Sequence, residues 1–509
     1  MTGSKPTMAT IILGFFLGNA LSGGLPEERP ALSSSLVSSF SLSFRLPAEV
    51  PPAAETTPPP ARILIETPLP SSMSRIALTP PAPSTQAPRP KPWLAAAEVV
   101  GINLGVWAFL HYVPDAFYAY ISWETMRDNF RDGFEWDHSQ YFVNFYHHPY
   151  HGYLYYTAGR ATGLDFWGSS LCSFGGSLMW ETVMEKYRPS INDLVTTTYG
   201  GIVYGEIGYR FSALVRKNGA HGLERIWREA VGAVLDPVGA VNRLLNGRDD
   251  SVPGAPGRPD DETSLHGELL LAGPVLLRSA SLEGTKVVPL IAFTLNYGDP
   301  ASKGWGGKPF DVFTVQGRLR WGPDRPHLSL SIGGALAAKK LPSAGDSSHF
   351  LGVYQYYEYY GIDTLRLGGS SIAGGLTSLH ALSPRTQLKL AARLGWLALG
   401  GADDFYYTGP ERRQYNYGTG WLAGAEVGFG SRRFDYFSAT WRHYGLYTLQ
   451  GQKGSESWDI LQGQVRFPVW RKLGAGVQAE YCERHIDFQD QVPGERRLFE
   501  IRAFVTCQF

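Results

Sequence analysis

The sequence predicts an α+β multidomain protein, an N-terminal α-helical bundle followed by a C-terminal antiparallel transmembrane β-barrel of about 12 strands. Three observations carry this. From about Leu269 onward apolar and polar residues alternate with period two in runs of about ten. The final run alternates to the last residue, Phe509. Between Trp93 and Leu245 the apolar residues instead recur at helical spacing, between helix start and stop signals.

Composition agrees. The chain has 509 residues, too many for one ordinary core. Lys plus Arg and Asp plus Glu both number 46, so no basic excess points to a nucleic-acid partner. Aromatics at 13% and 59 glycines suit a barrel, in which only every second residue need be apolar. Cys172, Cys482 and Cys507 have neither disulfide-framework nor zinc-type spacing.

Residues 1–24 have the layout of a signal peptide: Lys5, the apolar run Ile11 to Leu21, then small residues. Residues 25–92 are rich in Pro, Ala, Ser and Thr, a composition that cannot bury enough apolar surface to fold and reads as a disordered linker. Residues 93–245 form the helical domain. Leu94 to Tyr112 could just span a bilayer, but Glu98 and Asn103 interrupt it, and a buried helix of a globular domain is expected. A second helix is expected over Ala116 to Asp132. Pro149 starts another, reaching about Gly163. Asp165 caps one running to about Lys186, and Ser190 or Asn192 caps one running to about Arg216. Gly201, Gly205 and Gly208 on that helix allow another backbone to approach closely, and Glu206 and Arg210 are an i,i+4 pair suited to an internal salt bridge. His221 to Leu235 is a further amphipathic helix, and residues 246–262 are a polar, Gly/Pro-rich linker.

Within the helical domain the runs HPYHGYLYY, FGGSLMWE and PSINDLVTTTYGG, with GE and YR just after, resemble the bacterial family catalogued as domain of unknown function 3943, over about residues 141–212. The resemblance implies an envelope protein of a Gram-negative bacterium and brings no reaction with it.

Residues 263–509 are the barrel. In Phe313 to Trp321 the odd positions are apolar or small and the even ones are Thr314, Gln316, Arg318 and Arg320. Leu388 to Trp396, Trp421 to Phe429, Leu461 to Phe467 and Leu473 to Tyr481 repeat the pattern. The last strand sets Phe499, Ile501, Ala503, Val505, Cys507 and Phe509 against Glu500, Arg502, Thr506 and Gln508, with Phe504 the exception. A terminal aromatic strand of this kind looks like the signal that outer-membrane barrels present to the barrel-assembly machinery, which with outer-membrane lipid is the expected partner. The Tyr-rich stretches VYQYYEYYG and DDFYYTGPERRQYNYG fit aromatic girdles and outer loops.

Chemistry, if any, is expected in the helical domain. No Gly-x-Ser-x-Gly elbow or phosphate loop occurs. His147, His148, His151, Glu181, Glu185, Asp193 and Glu206 remain. Of these, His148, His151, Glu181, Glu185 and Asp193 are the candidate catalytic set, and His148, His151 and Glu181 the candidate ligands for a divalent metal, though no cofactor is required. The competing reading is that they cap helices and tie the bundle together. Three functions follow: transport or envelope integrity, hydrolysis of lipid or cell-wall esters, or a structural or assembly role. The balance of residues favours the first and is against an enzyme. The barrel is expected in the outer membrane of a Gram-negative bacterium, with the helical domain periplasmic or inside the barrel.

Overall fold

The computed structural model describes residues 90–509 apart from 138, 140, 217–220, 246–264, 280–288, 300–306, 322–325, 344, 363–364, 404–414 and 432–433. The expected signal peptide, the Pro-rich linker up to residue 89 and the linker at 246–262 lie outside the described residues.

Among the described residues seven α-helices come first: α1 Pro92–Tyr112, α2 Trp123–Asp132, α3 His148–Ala161, α4 Phe166–Met179, α5 Ile191–Val215, α6 Gly222–Leu235 and α7 Pro237–Leu245. The cap chemistry follows the sequence. Asp165 accepts from the Gly168 amide at 2.7 Å, and the Ser190 hydroxyl accepts from the Asp193 amide. Ser122 and Thr125 close a capping box on α2. Four helices differ from expectation: α1, expected to be buried, leaves Trp93, Leu104 and Phe109 exposed, and α2 starts at Trp123 rather than Ala116. A π-helical turn, Val143–His147, leads into α3, and a second, Trp180–Met184, ends α4 short of Lys186. Such turns re-aim side chains and are frequent where polar groups must converge. The α3–α5 crossing is built on glycine: a Cβ at Gly152 would fall 1.9 Å from the Thr197 carbonyl oxygen, and one at Gly201 would meet the Gly152 backbone.

Twelve antiparallel strands follow: β1 Leu265–Ser279, β2 Leu290–Tyr297, β3 Phe313–Trp321, β4 Pro326–Leu341, β5 Ser347–Ile362, β6 Leu365–Ala381, β7 Gln387–Asp403, β8 Tyr415–Gly430, β9 Asp435–Gln450, β10 Gly454–Trp470, β11 Leu473–Phe488 and β12 Gly494–Gln508. They close into a barrel, with β12 pairing to β1. Reciprocal backbone bonds between Gly267 and Phe509 extend that seam to the last residue.

The direction of each face is fixed by side chains that meet across the lumen. Arg318 on β3 bonds Glu480 on β11 and Gln462 on β10, Arg320 bonds Glu500 on β12, and Glu358 on β5 accepts from Tyr444 on β9. Even positions of β3 and β5 therefore point inward and odd positions outward. On β12 the outward residues Phe499, Ile501 and Val505 are exposed, as a lipid-facing wall requires. The outward residues of β2–β5 near Tyr297, Phe313, Ile332 and Tyr357 are buried, because the helical bundle covers them. Tyr141, Phe145, Val203, Ile207 and Phe211 share one apolar core with Leu295, Phe313, Val315, Leu330, Tyr357 and Tyr417.

The described contacts of the bundle are thus with the outer wall of the barrel rather than with its lumen, where a plug would sit. The Tyr-rich run on β5 is likewise no membrane girdle or outer loop. Tyr354, Tyr356 and Tyr360 turn inward, while Tyr357 turns outward and donates to the Phe145 carbonyl at 2.7 Å. Of the second Tyr-rich stretch, residues 404–414 lie outside the described residues.

Candidate functional site

The polar residues singled out in the helical domain fall into two groups. The first surrounds the start of α5. Asn192 donates to Asn144 at 3.0 Å, Asp193 at 2.7 Å and the Tyr417 hydroxyl at 2.8 Å. Asn144 in turn donates to the Tyr415 hydroxyl at 2.6 Å. His148 Nε2 lies 3.4 Å from Asp193 Oδ1. The Ser190 amide donates to Glu181 at 2.9 Å, and the Trp180 indole donates to Glu185 at 3.2 Å. His151 Nε2 contacts the Tyr155 hydroxyl at 2.8 Å, and that hydroxyl donates to Asn103 of α1. His147, on the π-turn, packs edge-on against Phe142.

Burial dominates the electrostatics here. It lowers His148 to about 4, opposed by Asp137, and His151 to about 3, helped by His148. It raises Glu185 to about 8, with Asp193 and Asp137 adding repulsion, and raises Glu181 and Asp193 well above the usual carboxylate range. Burial therefore disfavours the charged form of each of these groups. With a neutral imidazole the His148–Asp193 contact is not an ion pair, whatever its distance.

The second group is ionic. Glu206, fully buried on α5, meets Arg210 Nε at 2.7 Å and Arg160 Nε of α3 at 3.1 Å, and accepts from the Tyr156 hydroxyl at 2.7 Å. Arg210 continues to the barrel, donating to the Pro309 carbonyl at 2.8 Å and reaching Asp311 at 3.4 Å. Beside it Phe310 is buried with φ +59°, a conformation a non-glycine residue holds only when packing fixes it, and stacks on Phe166.

The candidate catalytic residues are thus brought to one region, where His148 faces Asp193 while Glu181, Glu185 and His151 are turned to separate partners. His148, His151 and Glu181 do not bring three ligand atoms within 4.8 Å of one another. Among the described residues that criterion is met by Glu483, His485 and Glu495 at the barrel rim, where Arg497 already bonds both glutamates. Sequence reasoning missed Asn144, Arg160, Tyr415 and Tyr417. The available signal was the outward register of Tyr415 and Tyr417, polar-tipped side chains on a face that lipid would leave without partners.

A different feature dominates the lumen. A cavity of about 2250 Å³ opens at the end where β1 begins and β12 finishes, lined by nine lysines and arginines against five aspartates and glutamates. Toward the other end the lumen is filled. Arg318, Arg320 and Arg502 interlock with Glu480 and Glu500. Above them Tyr360, Leu397, Leu422, Tyr444, Leu446 and Trp458 form a buried apolar layer. Arg484 lies over Trp458 and is bonded to Glu456 and Asp403.

Residues 133–238 match the family model described as "Domain of unknown function (DUF3943)". That match spans α3, α4, α5 and α6, the helices carrying both polar groups. No curated protein matches the chain. Among solved structures the chain is similar to a NanC porin, at 8% identity over 47% of this chain and 98% of that one, with a TM-score of 0.24. It is also similar to the CymD monoaromatic hydrocarbon channel, at 12% identity over 48% of this chain and 88% of that one, with a TM-score of 0.19. The outer membrane channel DcaP of Acinetobacter baumannii is 8% identical over 48% of this chain and 97% of that one, with a TM-score of 0.20.

Proposed function

We propose that this chain is a gated outer-membrane transport barrel that admits anionic solutes from the end where β1 begins and β12 finishes. The observation that carries the reading is the cation-rich cavity that stops at an apolar layer. A polar vestibule of net positive lining concentrates anions, and an apolar constriction excludes water and ions until it is widened. The helical bundle serves as a lateral scaffold, its His, Glu and Asp residues consumed by internal partners. Export through the N-terminal segment and recognition of the strand ending at Phe509 by the assembly machinery belong to the same proposal.

The test is conductance of the full chain in planar bilayers. Wild type is expected to conduct rarely, and the Leu446→Ala/Trp458→Ala variant to conduct steadily with chloride preferred over potassium. Replacing Arg318 and Arg442 by Gln in that background should reduce the preference. If the widened barrel stays silent while correctly folded, transport fails. An envelope-integrity role then leads, favoured by the same filled lumen.

A further inference from the structure

The bundle covers one part of the barrel's outer wall, and its own far side is apolar. On α1 the exposed positions from Trp93 to Phe109 carry no charge. The two polar residues of that stretch turn away from the exposed face: Asn103 is buried and donates to the Gly176 carbonyl, and Glu98 is half-buried and bonds Asn242. The neighbouring α4 has no charged residue, and its outward row is Trp167, Leu171 and Phe174. Leu171 is 71% exposed. A water-facing helix carries its polar residues outward, and here the arrangement is inverted.

Length and ends fit the same environment. α1 has 21 residues, which at about 1.5 Å each is close to the roughly 30 Å of a hydrocarbon core. Lys91 precedes it, and at its other end Trp107, His111, Tyr112 and Tyr120 cluster, the residue types found at a membrane–water boundary. Beyond that cluster α2 turns charged, with Arg131 paired to Asp128 and Asp132. The barrel presents a wall of the same kind, since its outward Leu351, Leu394 and Trp396 are exposed in the same way.

We infer that the helical bundle is itself immersed in the outer membrane beside the barrel, with the outer faces of α1 and α4 in contact with lipid acyl chains. The occupant is acyl chain because a face this apolar, on a helix of bilayer length with a lysine at one end and an aromatic cluster at the other, belongs to a bundle docked on a wall that itself faces lipid. A second copy of the chain and water are the competing occupants.

The test uses the full chain in phosphatidylcholine vesicles containing doxyl-labelled phosphatidylcholine. A bimane fluorophore is placed on Leu104→Cys or Leu171→Cys in a Cys172→Ser/Cys482→Ser/Cys507→Ser background. Leu394→Cys on the barrel wall and Arg127→Cys on α2 are the references. Quenching at 104 and 171 is expected to equal that at 394 within a factor of about two, and position 127 to stay unquenched. Quenching at 104 and 171 as low as at 127, with 394 quenched, overturns the inference. So does fluorescence self-quenching between copies at 104, which would mean a second chain covers the face. Wild-type protein gives an independent reading through oxidative labelling in the same vesicles. Trp167 should react about tenfold less than Trp123, which is 88% exposed on α2, and equal reactivity overturns the inference.

Discussion

The outward faces of β5 and β12 obey the same period-two rule and are covered by different things. On β12 the outward row is Phe499, Ile501, Ala503, Val505 and Cys507, with no hydroxyl or amide, and its large residues are exposed. On β5 the outward row near the bundle is Gln355, Tyr357 and Tyr359, and all three are buried. Gln355 donates to the Tyr199 carbonyl, and Tyr357 donates to the Phe145 carbonyl. Lipid offers no partner for such groups, whereas the carbonyls of a docked helix or π-turn do. Alternation therefore tells which way a residue points, and polar tips on the outward row tell that protein covers it.

Perturbations of the covered side should be costly and those of the bare side cheap. The largest effect is expected from Glu206→Ala, which strands Arg160 and Arg210 without their shared carboxylate. A loss of about 3–5 kcal/mol from the bundle is expected. Limited proteolysis should cut the bundle of this variant while the barrel keeps its heat-modifiable gel mobility. Equal protease resistance would show that the ionic group does not hold the docked bundle. Next comes Gly152→Val, whose Cβ has no room against the Thr197 carbonyl, with an expected cost of about 3 kcal/mol by overpacking. Urea unfolding followed by Trp fluorescence would read it.

The polar group around the start of α5 predicts a pH dependence with a definite sign. The folded-state value for Glu185 is raised, to about 8, so its favourable contribution is full below the unfolded carboxylate value and is lost as pH rises through about 8. His148, lowered to about 4, acts oppositely: its contribution is present above the unfolded histidine value and is lost as pH falls through about 4. Bundle stability should therefore fall between about pH 4.5 and 8 through the carboxyls, and Glu185→Gln should flatten that slope. An unchanged slope would remove Glu185 from the account. Smaller still is Tyr357→Phe, expected to cost about 1 kcal/mol through the Phe145 carbonyl it leaves unpaired. On the bare wall, Ile501→Val should change stability by less than about 0.5 kcal/mol.

Much of the fold was legible in the sequence because it rests on local pattern. The alternation of Thr314, Gln316, Arg318 and Arg320 with apolar neighbours needs no distant partner to be read, and neither do the caps at Asp165 and Ser190 or the final strand to Phe509. The docking was not legible, because its partners lie far apart in the chain. Tyr357 bonds a residue 212 positions away and Asn192 one 225 positions away. The same holds inside the bundle. Arg210 shares a helix with Glu206, so i,i+4 spacing shows it, but Arg160 comes from α3 and no spacing rule reaches it. The candidate site was read as residue types only. Whether His148, Glu181 and Asp193 converge on a common point or face separate partners depends on the two π-turns, which the sequence does not announce.

The central claim is that the bundle docks on the outside of the barrel. Its most direct test is photo-crosslinking in intact Gram-negative cells, with p-benzoylphenylalanine in place of Tyr357, whose ring contacts Tyr204 and whose hydroxyl meets the Phe145 carbonyl. Mass spectrometry should find position 357 joined to peptides containing Phe145 or Tyr204. Adducts to lipid, or to lumen residues such as Arg393, with none to the helices, would contradict it.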